Sequence, residues 1–134
     1  MRRGLIVGLA GWLGATLLVR ILGPWGLPAH GMAYLGTLLI GGVLVGAVAL
    51  LAAHLFCQAG KSARFAMGLL VPGLLGTAAA TLAFPTVFPS LPPERAALFA
   101  AMMAWFSGIV AASLALWGDM VVKTSEKRGF DERS

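Results

Sequence analysis

A chain of 134 residues that is 59% hydrophobic and 11% charged, with a mean hydropathy of +0.89, lies far from soluble-domain composition and leaves little room for a separate soluble domain. Its formal net charge of +5 would suit a nucleic-acid partner only if the basic residues formed a surface in water. Most of them instead flank apolar runs, and only the mixed-charge segment Lys123 to Ser134 stands apart, so no nucleic-acid partner is expected.

Four apolar stretches follow one another, about 4–22, 31–57, 63–84 and 95–122. Each supplies the roughly 20 residues that a helix rising ~1.5 Å per residue needs to cross a ~30 Å hydrocarbon core. The first follows Arg2 and Arg3 and has the outline of a signal peptide. It is longer than a typical apolar signal core, and Arg20-Ile21-Leu22-Gly23-Pro24 is a poor cleavage site, so it is expected to stay as a helix. Pro24 and Pro28 end it, and Trp25 and Tyr34 suit an outer membrane interface. The second stretch closes on a polar turn, Gln58 to Ser62, and the third carries Pro72 in its interior, a place for a kink. The connection from Phe84 to Pro93 holds four prolines and is expected to be rigid and extended. Glu94 then stands in the first turn of the fourth helix, where a negative charge complements the helix dipole.

Charge gives an orientation. Arg2, Arg3, Lys61, Arg64, Lys123, Lys127, Arg128 and Arg133 share one side of a four-span topology, with only Arg20 and Arg95 on the other. The positive-inside rule puts both termini in the cytoplasm, with 123–134 as a short cytoplasmic tail.

Residues 5–28 aligned without gaps to 70–93 match at Gly8/Gly73, Gly11/Gly76, Ala15/Ala80, Thr16/Thr81, Pro24/Pro89 and Pro28/Pro93, among others. A duplication with that offset gives two hairpins of like orientation, related by an axis along the membrane normal. Small residues supply close helix contacts: Gly4-x3-Gly8, Gly11 and Gly14 in the first helix, Gly42-x3-Gly46 in the second, Gly73 and Gly76 in the third, Gly108-x3-Ala112 in the fourth. The bland reading is packing within the chain; the sharper one is association between chains.

Polar groups inside the spans are where chemistry would announce itself. Arg20, near the outer boundary, reads either as a snorkelling side chain beside Glu94 or as an anchor for an anionic ligand. Asp119, with Lys123 one turn on, reads as a boundary ion pair or as a proton-coupled carboxylate. Thr16 and Thr81 join Arg20 as residues that would line a pathway. Trp12 and Trp105 fall at mid-span and are expected in the core, their indole donors satisfied by Thr16, Thr37, Thr77, Thr81, Ser107 or Ser113. His30 and His54 belong to opposite ends, so one chain cannot hold a haem or metal between them. Cys57 is the single cysteine, which excludes an internal disulfide and a CxxC pair. No catalytic set, cofactor site or metal site is expected.

Four spans and this length are also features of the small multidrug-resistance and fluoride-channel families. The first relies on a glutamate within its first helix, and residues 4–22 contain no acid; the glycine-arginine and Phe-rich polar motifs of the second are missing. Trp12, Arg20, Phe84-Pro-x-Val-Phe-Pro-x-Leu-x-Pro, Leu98-Phe99 and Ala104-Trp105 resemble small bacterial four-helix membrane proteins of unknown function. That resemblance implies four helices and a bacterial inner membrane, and transfers no site.

The expectation is therefore an all-α membrane protein of four transmembrane helices, with two pseudo-repeated hairpins if the duplication holds. It would have no enzymatic site and no cofactor. Its partners would be the bilayer and either a further copy or another membrane protein, as an accessory or regulatory subunit. The alternative is a small transporter or channel with Arg20 near the pathway.

Overall fold

A computed structural model describes residues 2–23, 31–57 and 61–132. The described residues form α1 (Arg2–Leu22), α2 (Met32–Phe56), α3 (Ser62–Leu82), a short α4 (Phe84–Val87), a 3-10 turn (Pro93–Arg95) and α5 (Ala96–Asp131). Four of these helical segments are long and apolar enough to cross a membrane. Trp25 and His30, both assigned to an outer connection, lie outside the described residues.

Local causes set the helix ends. Gly23, at φ 54°, takes the left-handed conformation that closes α1, and Pro24 follows it. Gly31, at φ 81°, precedes α2. α3 runs unbroken through Pro72. α5 does not stop at the apolar boundary: 36 residues long, it continues through the segment expected as a tail, and Thr124 donates a hydrogen bond to the Met120 carbonyl there. At ~1.5 Å per residue it reaches about 54 Å, well beyond a ~30 Å apolar layer.

The helices are not neighbours in chain order. α1 lies along α3, α3 and α2 both lie along α5, and α1 and α2 barely touch. α1 and α3 run parallel, with Gly4 beside Phe65 and Gly68, Gly8 beside Leu69, and Trp12 beside Gly76. α2 and α5 run parallel too: Tyr34 reaches Leu98, Leu38 reaches Trp105, and Gly46 meets Ile109 and Ser113. These contacts thus join residues displaced by roughly the offset of the sequence match. The two hairpins nevertheless differ, since α3 packs on α5 whereas α1 and α2 are splayed.

Arg2, Arg3, Lys61, Arg64 and Lys123 gather at one end of the bundle, because Gly4 lies beside Phe65 and Gly118 beside Ser62. Arg20 and Arg95 stand at the other end.

The distribution of side chains is the reverse of a water-soluble bundle. Buried positions in the long helices include Gly4, Gly8, Thr16, Gly42, Gly46, Ala49, Ala53 and Gly68. The outward faces carry Ile6, Leu17, Ile21, Ile40, Val43, Leu75 and Leu116, with Ile21 81% and Val43 74% exposed. Exposed aliphatic side chains are ordinary one at a time, but here they recur along all four long helices.

The large core side chains sit at the two ends. Phe84, Phe88 and Phe99 are fully buried, with ring centroids 4.8 to 6.0 Å apart, and gather Val19, Ala80, Leu91, Met102 and Met103 around them. This overturns the extended reading of the proline-rich connection. Phe84 and Phe88 need the i, i+4 spacing of a helical turn to bury both rings on one side, and Pro85 tolerates that turn because it occupies its first positions. Pro92 is extended, just before the 3-10 turn. The opposite end is closed by Ala52, Ala53, Phe65 and Leu114, with Trp117 packed against them.

Candidate functional site

Between these end clusters the four long helices leave a cavity of about 290 Å³. α1 contributes Val7 to Ala15, α2 Leu44 to Ala52, α3 Leu69 to Thr77, and α5 Met103 to Val110. No ionisable side chain lines it, and its two hydroxyl residues are Thr77 and Ser107. Ser107 already donates to the Met103 carbonyl, at 2.8 Å. Glycine shapes the walls: a Cβ at Gly11 or Gly73 would meet no atom within 4 Å, so at these two positions the hollow is bounded by bare backbone. The exposed lining residues are Gly11, Leu44 and Val48, which places the mouth between the splayed α1 and α2.

The residues expected to matter are not brought together. Arg20 is exposed near the end of α1, outside the cavity lining. Glu94 is exposed as well, and the two form no ion pair among the described residues. Asp119 and Lys123 are likewise exposed and unpaired with each other. Thr16 is buried in α1, and Thr81 is half-buried, donating to the Thr77 carbonyl at 2.7 Å. His54 is exposed in the last turn of α2. Among the described residues no group of three His, Cys, Asp or Glu side chains could hold a metal ion.

The two mid-helix tryptophans have opposite fates. Trp105 donates its indole N–H to the Leu38 carbonyl, at 3.1 Å, across the α2–α5 contact. It is half exposed rather than core. Trp12 packs its ring over Gly76, where a Cβ would come within 2.5 Å of it, and its buried Nε1 has no acceptor. Thr16 Oγ1, one turn further along α1, is also buried without a partner. None of the hydroxyls expected as indole acceptors receives the Trp12 or Trp105 donor; Thr37, Thr81 and Ser107 each donate to the carbonyl four residues back in their own helices.

A second feature escaped sequence reading. Ala97, Ala101, Ala104, Gly108, Ala111 and Ala115 alternate steps of four and three along α5, and all six are exposed. A Cβ on Gly108 would meet nothing within 4 Å. That spacing is the 3.5-residue seam by which one helix meets another. It was present in the sequence as a period of small residues, but only the Gly108-x3-Ala112 fragment of it matches a familiar glycine motif.

The chain matches no protein-family model, no curated protein and no solved structure.

Proposed function

We propose that this chain is a multi-pass protein of a bacterial inner membrane, with both termini cytoplasmic. It acts without enzymatic chemistry, as an accessory or regulatory subunit held against another membrane protein by the outward face of α5. Aliphatic outer surfaces support the membrane part of the reading, because in lipid that surface needs no water. Gathering of the basic residues at one end supports the orientation.

The observation that carries the partner role is the six-residue seam on α5. The outward faces of the other long helices mix small residues with large ones such as Ile6, Val43 and Leu75, which suit fluid lipid. The α5 face presents alanine and glycine instead, which let a second backbone approach closely where no hydrophobic force draws helices together. The cytoplasmic extension of α5 gives the same helix an exposed charged segment with which to meet that partner outside the bilayer.

The alternative, a transporter or channel with Arg20 near the pathway, draws little from the geometry. The cavity is apolar and flanked by a cluster at each end, and Arg20, Thr16 and Asp119 are not among its lining. Retained anion flux in Arg20→Ala would remove its remaining basis.

Native mass spectrometry of the protein extracted mildly from its own membrane tests the subunit reading. A stoichiometric second polypeptide that Gly108→Leu releases supports it. A bare monomer or homodimer, unchanged by that substitution, overturns it.

A further inference from the structure

We infer that the cavity between α1 and α2 is a lateral binding site for the end of a phospholipid acyl chain. The inference rests on the membrane reading above, and not on the partner role.

The hollow occupies the middle of the bundle. On α1 it extends from Val7 to Ala15, about 12 Å at ~1.5 Å per residue, with the helix continuing beyond at both ends. Val7 and Leu69 lead into the lower cluster and Trp12, Ala15 and Met103 into the aromatic one, so the space is stoppered along the bundle axis. It opens sideways, past Gly11, Leu44 and Val48, at the depth where acyl chains end.

Chemistry selects the occupant. Water needs two to four polar partners in a cavity, and apolar hollows of this kind stay dry. Here the lining offers two hydroxyls, Thr77 and Ser107, the latter already donating to the Met103 carbonyl, and no charged side chain is present. An empty hollow forfeits dispersion contacts over its whole lining. A transmembrane helix is a rod of uniform width over ~30 Å and does not dip into a pocket less than half that long. A lipophile with a polar head would bring that head into a space with almost nothing to bind it. A phospholipid leaves its headgroup at the interface and offers only methylene and methyl groups at mid-depth. Trp12 walls the hollow with its ring while its orphaned Nε1 is buried, and Thr16, the other residue with an orphaned polar atom, is not among the lining.

The cavity also lies where the duplication would demand a helix contact. α3 packs on α5, and the equivalent contact of α1 on α2 is slight. A hydrocarbon chain fills the position of that contact.

The test is photolabelling in phospholipid nanodiscs, with one tracer phospholipid bearing a diazirine at the end of an acyl chain and another bearing it on the headgroup. The expected result is chain-end adducts on Leu44, Val48 and Met103, several-fold above those on the outward Val43 and Leu75, with no such adducts from the headgroup tracer. Gly73→Leu and Gly11→Leu each start from a position where an added Cβ meets no atom within 4 Å and put their bulk at the hollow, so each lowers the cavity adducts several-fold and leaves Val43 and Leu75 unchanged. Equal labelling of lining and outer face, or labelling indifferent to both substitutions, overturns the inference. So does a stoichiometric lipophile other than phospholipid in the extracted protein. The wild-type pattern decides the matter even if neither variant reconstitutes. Failure of the wild-type chain to enter nanodiscs at all is a separate outcome, and it overturns the membrane reading together with the site.

Discussion

The α1–α3 pair and the α2–α5 pair are both parallel, both lined by glycine, and each carries a tryptophan at mid-length. They differ in what the glycines meet. On α1, Gly4 and Gly8 press against backbone: a Cβ on Gly4 would stand 2.7 Å from the Phe65 carbonyl oxygen, and one on Gly8 would collide with the Leu69 peptide. On α2, Gly41 and Gly42 receive side-chain tips, Phe106 Cζ at 2.7 Å and Ile109 Cδ1 at 2.6 Å from the added atom. The first contact is backbone on backbone and rigid; the second is a ring and a methyl group seated on a bare helix. The polar groups follow the same division, since the second pair is cross-linked by two side-chain hydrogen bonds, from Tyr34 to Leu98 and from Trp105 to Leu38, while the first leaves Trp12 and Thr16 unpartnered. Equal glycine content therefore does not mean equal packing.

The comparison breaks most sharply at the glycines. Gly8→Ala must move the α3 backbone, and overpacking against an atom that cannot yield costs about 3 kcal/mol or more. Gly42→Ala asks only for a rotamer change at Ile109 and a small shift of Trp105, and is expected to cost about 1 kcal/mol. Unfolding by SDS titration of the reconstituted protein measures both. Equal losses would mean that the two interfaces are equally rigid. Gly73→Ala and Gly108→Ala, whose added atoms meet nothing, are expected to be neutral or to stabilise slightly, since alanine exceeds glycine in helix propensity by about 1 kcal/mol.

This contrast also marks what could be read from the chain. Hydropathy delivered the four long helices because each is a nearly unbroken apolar run bounded by Pro, Gly or charge. Charge placement delivered the shared end for Arg2, Lys61 and Lys123. Glycine spacing identified Gly4, Gly8, Gly42 and Gly46 as contacts, but the same spacing flagged Gly11, Gly14 and Gly108, which touch nothing. Periodicity names a face without naming its neighbour. The order α1–α3–α5–α2 is a long-range choice that no local pattern encodes, and the cavity is a product of that order. In the proline-rich connection, proline count outweighed the Phe84/Phe88 spacing in the reading, although burial of two rings decided the conformation. Arg20 and Asp119 stand out in the sequence by their charge, and charge is what keeps both at exposed positions.

A smaller effect tests the hydrogen bonds of the α2–α5 pair. Trp105→Phe removes the donor to the Leu38 carbonyl while keeping an aromatic ring beside Gly42. Side-chain hydrogen bonds between membrane helices average ~0.6 kcal/mol and reach ~1.7 kcal/mol, so a loss of about 1 kcal/mol is expected in the same SDS titration. Leu98 accepts the Tyr34 hydroxyl in the same way, and Tyr34→Phe should lose a similar amount, the two adding because they lie at different levels of the interface.

The smallest expected change is the most informative one. Trp12→Phe deletes a donor that has no acceptor, so it relieves the desolvation of a buried N–H, and it also trims part of a ring that covers Gly76 and walls the cavity. Unsatisfied buried donors cost about 1 to 3 kcal/mol in proteins, and the smaller ring forfeits contact of comparable size at ~25 cal/mol per Å². The two terms oppose, and the net change is expected to fall within about 0.5 kcal/mol of zero, against a clear loss for Trp105→Phe. Indole ¹⁵N–¹H spectra of the reconstituted protein give the independent reading, with Trp105 shifted as a hydrogen-bonded donor and Trp12 as a free one. A loss at Trp12 equal to that at Trp105, with a bonded indole signal, would show that the α1–α3 pair acquires in the bilayer an acceptor that the chain itself does not supply. The difference between the two pairs would then lie in what they bind and not in how they pack.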